Sequence, residues 1–283
     1  MIEFIRALGN PAVPFLRYAL IAGILSSAAF GIVGTYITVR RITYLAGAIA
    51  HSVLAGIGLS LYLSEAHGVA WLSPLLGAMV AAIVAGAIIG FVSMYAKERE
   101  DTVIGAVWAI GMALGLLLIS RTPGYVDPMS YLFGNILILS QRELVLIAVL
   151  DLVVIAVGIL GYNQFQAVAF DEEFARVRGL RTSVYYLAMI LMTALSIVLL
   201  TTIVGLIMVI ALFTLPAAVG AMIARRLWQV MLLATLFTMI FTTIGLGLSY
   251  RYDLPSGPTI IAFAGAVYLV ATGVKSVKRR FGG

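Results

Sequence analysis

The chain has no cysteine, only two histidines, and few charges: Asp, Glu, Lys and Arg together make up 11% of its 283 residues. Without a thiol there is no disulfide framework and no thiolate metal site, so any metal contact must use His, carboxylate, Met or backbone oxygen. The scarcity of charge excludes an ordinary soluble surface, since soluble domains carry roughly 25% charged residues. Neither a low-complexity linker nor a clear internal repeat interrupts the sequence. What fills the chain instead is apolar: hydrophobic residues reach 63%. That excess is expected of a helical bundle that buries its apolar surface against lipid and other helices.

Apolar runs near 20 residues long, parted by short polar breaks, mark spanning helices. They fall at about 16–39, 45–63, 74–95, 103–120, 143–162, 184–204, 206–224, 228–249 and 258–274, which predicts nine crossings. The stretch from Leu187 to Ala224 holds no charge at all. As one helix it would extend about 57 Å, nearly twice the roughly 30 Å of hydrocarbon, so it must break. Thr201, Thr202 and Gly205 offer the turn. The first apolar run is too long for a signal peptide and ends in Arg40-Arg41 without a cleavage pattern.

Basic residues then orient the chain, because Lys and Arg near helix ends favour the cytoplasm. With the N-terminus outside, Arg40, Arg41, Lys97, Arg99, Arg176, Arg178, Arg181, Arg225, Arg226, Lys275, Lys278, Arg279 and Arg280 fall inside. Only Arg6, Arg17, Arg121, Arg142 and Arg251 fall outside, and together these are all 18 basic residues. The net charge of +6 is thereby read as topology and not as a nucleic-acid surface. Tyr44, Trp71, Tyr95, Tyr162, Trp228 and Tyr250 sit where an interfacial aromatic belt would lie. Gly86-x-x-x-Gly90 and Gly111-x-x-x-Gly115 suit close helix packing.

Polar groups inside lipid are costly, and few occur here. His51 lies about two turns into the second span and is the only histidine in a predicted span. Neutral imidazole is a ligand for zinc, manganese or iron. A hydrogen bond to a carbonyl or to Ser52 is the structural alternative. Asp151 is the only carboxylate deep in a span, suited to attract a cation, to accept a proton, or to face a helix partner. Pro216 removes a backbone donor and is expected to kink the seventh span. Glu65, His67 and Asp127 belong to outer connections, either solvated or touched by an external protein.

One cytoplasmic segment stands out, Phe170-Asp171-Glu172-Glu173-Phe174-Ala175-Arg176-Val177-Arg178-Gly179-Leu180-Arg181. Asp171 can cap a short helix, the acids complement its N-terminal dipole, and Gly179 can end it. Phe174 and Val177 would give that helix an apolar docking edge.

In order along the chain, Arg40-Arg41 with His51-Ser52-Val53-Leu54-Ala55-Gly56, then Tyr131-Leu132-Phe133-Gly134, the Asp171-to-Gly179 segment, and Leu215-Pro216-Ala217-Ala218 resemble signatures of the ABC-3 family of metal transporter permeases. The resemblance implies an all-α integral membrane fold of the vitamin B12 permease type (type II ABC importer), one permease domain over residues 1–283, and a coupling segment at about 168–182. It implies a second copy forming the path, two cytoplasmic ATPases that bind the ATP, and an external metal-binding protein. Asp171, Glu172, Glu173, Phe174, Ala175, Arg176 and Gly179 would seat in the ATPase. The divalent metal ion (zinc, manganese or iron) is cargo, and no permanently bound cofactor or nucleic acid is expected. The chain has no G-x-x-x-x-G-K-[S/T] phosphate loop, so it is not expected to hydrolyse ATP itself. A prokaryotic plasma membrane, with the C-terminus cytoplasmic, is the expected location. Many members carry Asp four residues before the histidine, where this chain has Gly47. The resemblance therefore carries over His51 alone, with Asp151 or the second copy's own histidine expected to supply the missing polarity. A same-fold permease for metal chelates or vitamins, and a secondary transporter using Asp151, are the alternatives.

Overall fold

A computed structural model describes residues 2–9, 14–69, 71–95, 99–124 and 141–281. The Tyr131-to-Gly134 signature, Asp127 and Lys97 lie outside the described residues. The described elements are all helices: α1 (Ile2–Gly9), α2 (Pro14–Val39), α3 (Thr43–His67), α4 (Pro74–Tyr95), α5 (Glu100–Arg121), α6 (Gln141–Leu160), α7 (Tyr162–Phe170), α8 (Glu172–Val177), α9 (Thr182–Val204), α10 (Leu206–Ile223), α11 (Leu227–Tyr252) and α12 (Ser256–Phe281). Backbone amides and carbonyls in hydrocarbon have no water to bond, and a helix satisfies them within its own segment. Among the described residues eight helices are long and apolar enough to span a membrane, and nine if α6 with α7 counts as one span. The uncharged stretch does break at Gly205, whose φ of 86° is open chiefly to glycine. The helix α1 was not expected; its Phe4 and Ala7 are buried, and Phe4 meets Tyr250 of α11 at 6.3 Å between ring centroids.

Two compact units are present. One holds α1, α2, most of α6, and the chain from Ala211 onward; the other runs over Val39–Gly134 and Leu160–Ile210. In the second unit α3 is the central helix, with Leu45, Ala46, Ala48, Ile49, Ala50, Val53 and Leu54 fully buried. It is approached closely on two sides. A Cβ on Gly56 would stand 2.0 Å from the Gly77 carbonyl oxygen of α4, and one on Gly77 would stand 2.2 Å from that of Gly56. From the other side, a Cβ on Gly111 of α5 would lie 2.6 Å from Ser52 Cα, and one on Gly115 would lie 2.7 Å from the Leu54 carbonyl carbon. The expected packing role of the Gly111/Gly115 pair is thus visible as backbone-to-backbone contact. In the first unit, Gly34 of α2 gives similar access to the Phe213 carbonyl of α10, and Phe30 meets Phe213 edge to face at 4.9 Å.

Large apolar side chains remain exposed on the outer helices, including Val80, Phe91, Ile110, Leu117, Leu152 and Leu269, each at least 59% accessible. Exposed apolar side chains in such number would make a soluble protein aggregate; on helices of spanning length they form the surface lipid covers.

Candidate functional site

The cytoplasmic segment folds as its residues dictate. The Asp171 side chain accepts a hydrogen bond from the Phe174 amide at 2.9 Å, which supplies one of the donors a helix start leaves unpaired. Glu172 and Glu173 follow in the first turn of α8. At the other end Gly179 takes φ 82°, its amide bonds the Arg176 carbonyl, and the Leu180 amide bonds the Ala175 carbonyl. Those two bonds with a left-handed glycine form a Schellman stop. Ala175 turns inward at 1% exposure, while Phe174 and Val177 are 56% and 88% exposed. An apolar edge therefore stands on a six-residue helix with both ends fixed.

A residue read from the sequence as a topological charge and part of the first signature, with no contact assigned to it, holds this segment in place. The Arg40 guanidinium donates to Glu172 Oε2 at 2.6 Å and to the Val168 carbonyl at 2.7 Å, and lies 4.3 Å above the Tyr186 ring. Arg176 donates to the other Glu172 oxygen at 3.2 Å. Partial burial pushes the Glu172 carboxyl up, but the adjoining Arg40 and then Arg176 outweigh it and hold the group below its ordinary value. Around these side chains a polar cavity of about 220 Å³ is lined also by Ser93, Ser183 and Tyr186. Nothing in the spacing of Arg40 and Glu172 signals the contact, because they are 132 residues apart.

His51 is buried in α3 and stacks on Trp108 of α5, with ring centroids 4.8 Å apart and planes 16° from parallel. Its Nδ1 is buried without a hydrogen-bond partner among the described residues. Ser52 does not serve it: its hydroxyl donates to the Ala48 carbonyl at 2.8 Å and the Val107 carbonyl at 3.3 Å. Gly47, one turn earlier, faces the same indole. A Cβ there would stand 2.9 Å from Trp108 Cζ3 and 3.1 Å from Cη2. Among the described residues no three His, Cys, Asp or Glu side chains gather as a metal cluster. Asp151 belongs to the other unit, where it is 5% exposed and its Oδ1 accepts the Ala29 amide of α2 at 3.1 Å. Pro216 sits inside α10, which continues as a helix to Ile223. Of the outer residues, His67 ends α3 beside Tyr62, and Glu65 is exposed near it.

The profile of the ABC 3 transport family matches residues 12–275, nearly the whole chain. The chain belongs to this family. An uncharacterized membrane protein of Synechocystis sp. is 40% identical over 258 residues, covering 91% of this chain and 89% of that protein. The manganese transport system membrane protein MntC of Listeria monocytogenes is 31% identical over 258 residues, covering 91% and 89%. Among solved structures, PsaBC from Streptococcus pneumoniae, in complex with Fab, superposes with a TM-score of 0.82 at 28% identity, covering 96% of this chain and 95% of that one. The polytopic all-α bundle of the type II importers, implied by the signatures, is the fold this ABC 3 chain has. It is a membrane permease component of an ABC transporter.

Proposed function

We propose that this permease forms the membrane path of an ATP-driven importer for divalent metal ions, zinc, manganese or iron, as one domain paired with a second copy. Each copy seats a cytoplasmic ATPase on α8, and an external metal-binding protein delivers the ion to the outer face. The observation that carries this reading is α8 itself: a helix capped by Asp171, stopped at Gly179, and offering Phe174 and Val177 to a partner. A chain that binds no nucleotide through a phosphate loop needs such a contact to receive work from one that does. Arg40 makes the contact mechanically useful, because it joins α8, the end of α7 and the Tyr186 face of α9 through one guanidinium. Along the path, His51 is the ligand, and Asp151 is the further polar group of the spans. Brief and sparse coordination suits transport, since a closed tetrahedral site would hold the ion. The distribution of basic residues supports a prokaryotic plasma-membrane orientation with the N-terminus outside and the C-terminus inside.

The test is reconstitution of the permease with its ATPase in proteoliposomes, with loaded binding protein outside. ATP-dependent accumulation of a divalent metal is expected, and it should be lost when Phe174 and Val177 are both replaced by Asp. Uptake that proceeds without the ATPase, driven by an ion gradient, would sink the proposal in favour of a secondary transporter.

A further inference from the structure

We propose that Trp108 is a specificity-determining residue of the path: it fixes the His51 imidazole and fills the space above Gly47, so that a passing cation meets an imidazole nitrogen with no carboxylate reaching it from position 47. This rests on the proposed reading of the chain as a divalent metal permease with His51 as ligand.

The geometry has three parts. First, the near-parallel stack at 4.8 Å restricts rotation of the His51 ring, since any large change would drive the imidazole into the indole. Second, His51 Nδ1 is buried and unpaired among the described residues, in a helix whose neighbouring hydroxyl, Ser52, is already engaged with two carbonyls. A buried nitrogen left unpaired is costly unless something else uses it. Third, position 47 lies one helical turn before His51, where a side chain would stand over the same face as the histidine. The Trp108 ring takes that place, so that even a methyl group would meet it at 2.9 Å. A ligand side chain at position 47 cannot take that place while the indole is there.

The chemical consequence is a preference. Imidazole suits zinc and iron, carboxylate and water suit manganese, and manganese lies lowest in the affinity order for nitrogen donors. A path that presents this imidazole without a carboxylate from position 47 favours zinc and iron over manganese.

The experiment measures the ratio of manganese to zinc uptake by the reconstituted full complex. The same binding protein is used throughout, so that its own selectivity cancels when variants are compared with wild type. The double variant Gly47→Asp/Trp108→Ala opens the space and places a carboxylate one turn from His51. It should raise the ratio by about 10-fold, the scale on which the shell around a metal ligand tunes a site. Trp108→Phe keeps an aromatic stack and should leave the ratio near that of wild type. An unchanged ratio in a double variant that still transports would overturn the assignment. If the double variant does not assemble, Trp108→Ala alone decides: water admitted beside His51 should move the ratio in the same direction, and no movement overturns the proposal. Failure of the wild-type complex to take up any divalent metal would instead strike the functional reading on which this inference rests.

Discussion

Arg40→Ala removes three contacts together: the 2.6 Å ion pair with Glu172, the 2.7 Å bond to the Val168 carbonyl, and the stack on Tyr186 at 4.3 Å. The paired side chains are 17% and 28% exposed, so the interaction lies between the surface and buried regimes. Exposed pairs contribute about 0.2–1 kcal/mol, and breaking one side of a buried pair costs about 3–5 kcal/mol. A charged hydrogen bond contributes about 1.5–3 kcal/mol, and a cation over an exposed aromatic face about 0.5–1 kcal/mol. Because one guanidinium makes every contact, these do not simply add, and a loss of about 2–4 kcal/mol is expected. A double-mutant cycle with Glu172→Gln, read by unfolding of the permease in lipid nanodiscs, should give a coupling of about 1–2 kcal/mol. Arg40→Lys should recover only part of it, since an ammonium lacks both the fork and the flat face. The pH dependence has a definite sign. Glu172 is held below its ordinary value, so its contribution is complete above the unfolded carboxyl's pKa of about 4.3 and fades as pH falls through the lower folded value. The Arg40→Ala penalty should therefore shrink in acid. A coupling indistinguishable from zero near neutral pH, or a penalty that grows in acid, would refute the reasoning.

Gly179→Ala should weaken the end of α8 by about 1–2 kcal/mol, through backbone strain alone, because an added methyl meets nothing within 4 Å; faster proteolytic cleavage within 171–181 is the readout. Replacing both Phe174 and Val177 by Asp should abolish co-purification of the ATPase while leaving the permease monodisperse, since both side chains already stand outside the fold. Gly56→Val should prevent folding, because its Cβ would lie 2.0 Å from the Gly77 carbonyl oxygen. Normal yield and a normal chromatographic profile for that variant would contradict the approach of α3 and α4.

The spans were legible because hydrocarbon acts on each segment separately. The apolar windows at about 74–95 and 206–224 match Pro74–Tyr95 and Leu206–Ile223, and the uncharged stretch breaks at its glycine as expected. The short helix α8 was legible for a different reason: an Asp cap and a left-handed Gly are local devices whose geometry needs no distant partner. By contrast α1 escaped notice, being eight residues long and held by the burial of Phe4 and Ala7. The partner of Arg40 escaped as well, since a cation at a helix end satisfies the topology rule whether or not it has one.

The sequence by itself determined that this chain lives in lipid, roughly where it crosses, and which cytoplasmic segment is a capped helix, because solvent transfer and capping act over a few adjacent residues. Only the tertiary structure decided what surrounds the rare polar groups. Gly47 reads in the sequence as the absence of a side chain. In the fold it is the space Trp108 occupies to reach His51. Asp151 reads as a lone carboxylate and proves to accept the Ala29 amide. Such contacts depend on how closely two helices approach and which faces they turn to each other, and that is a property of the packed pair.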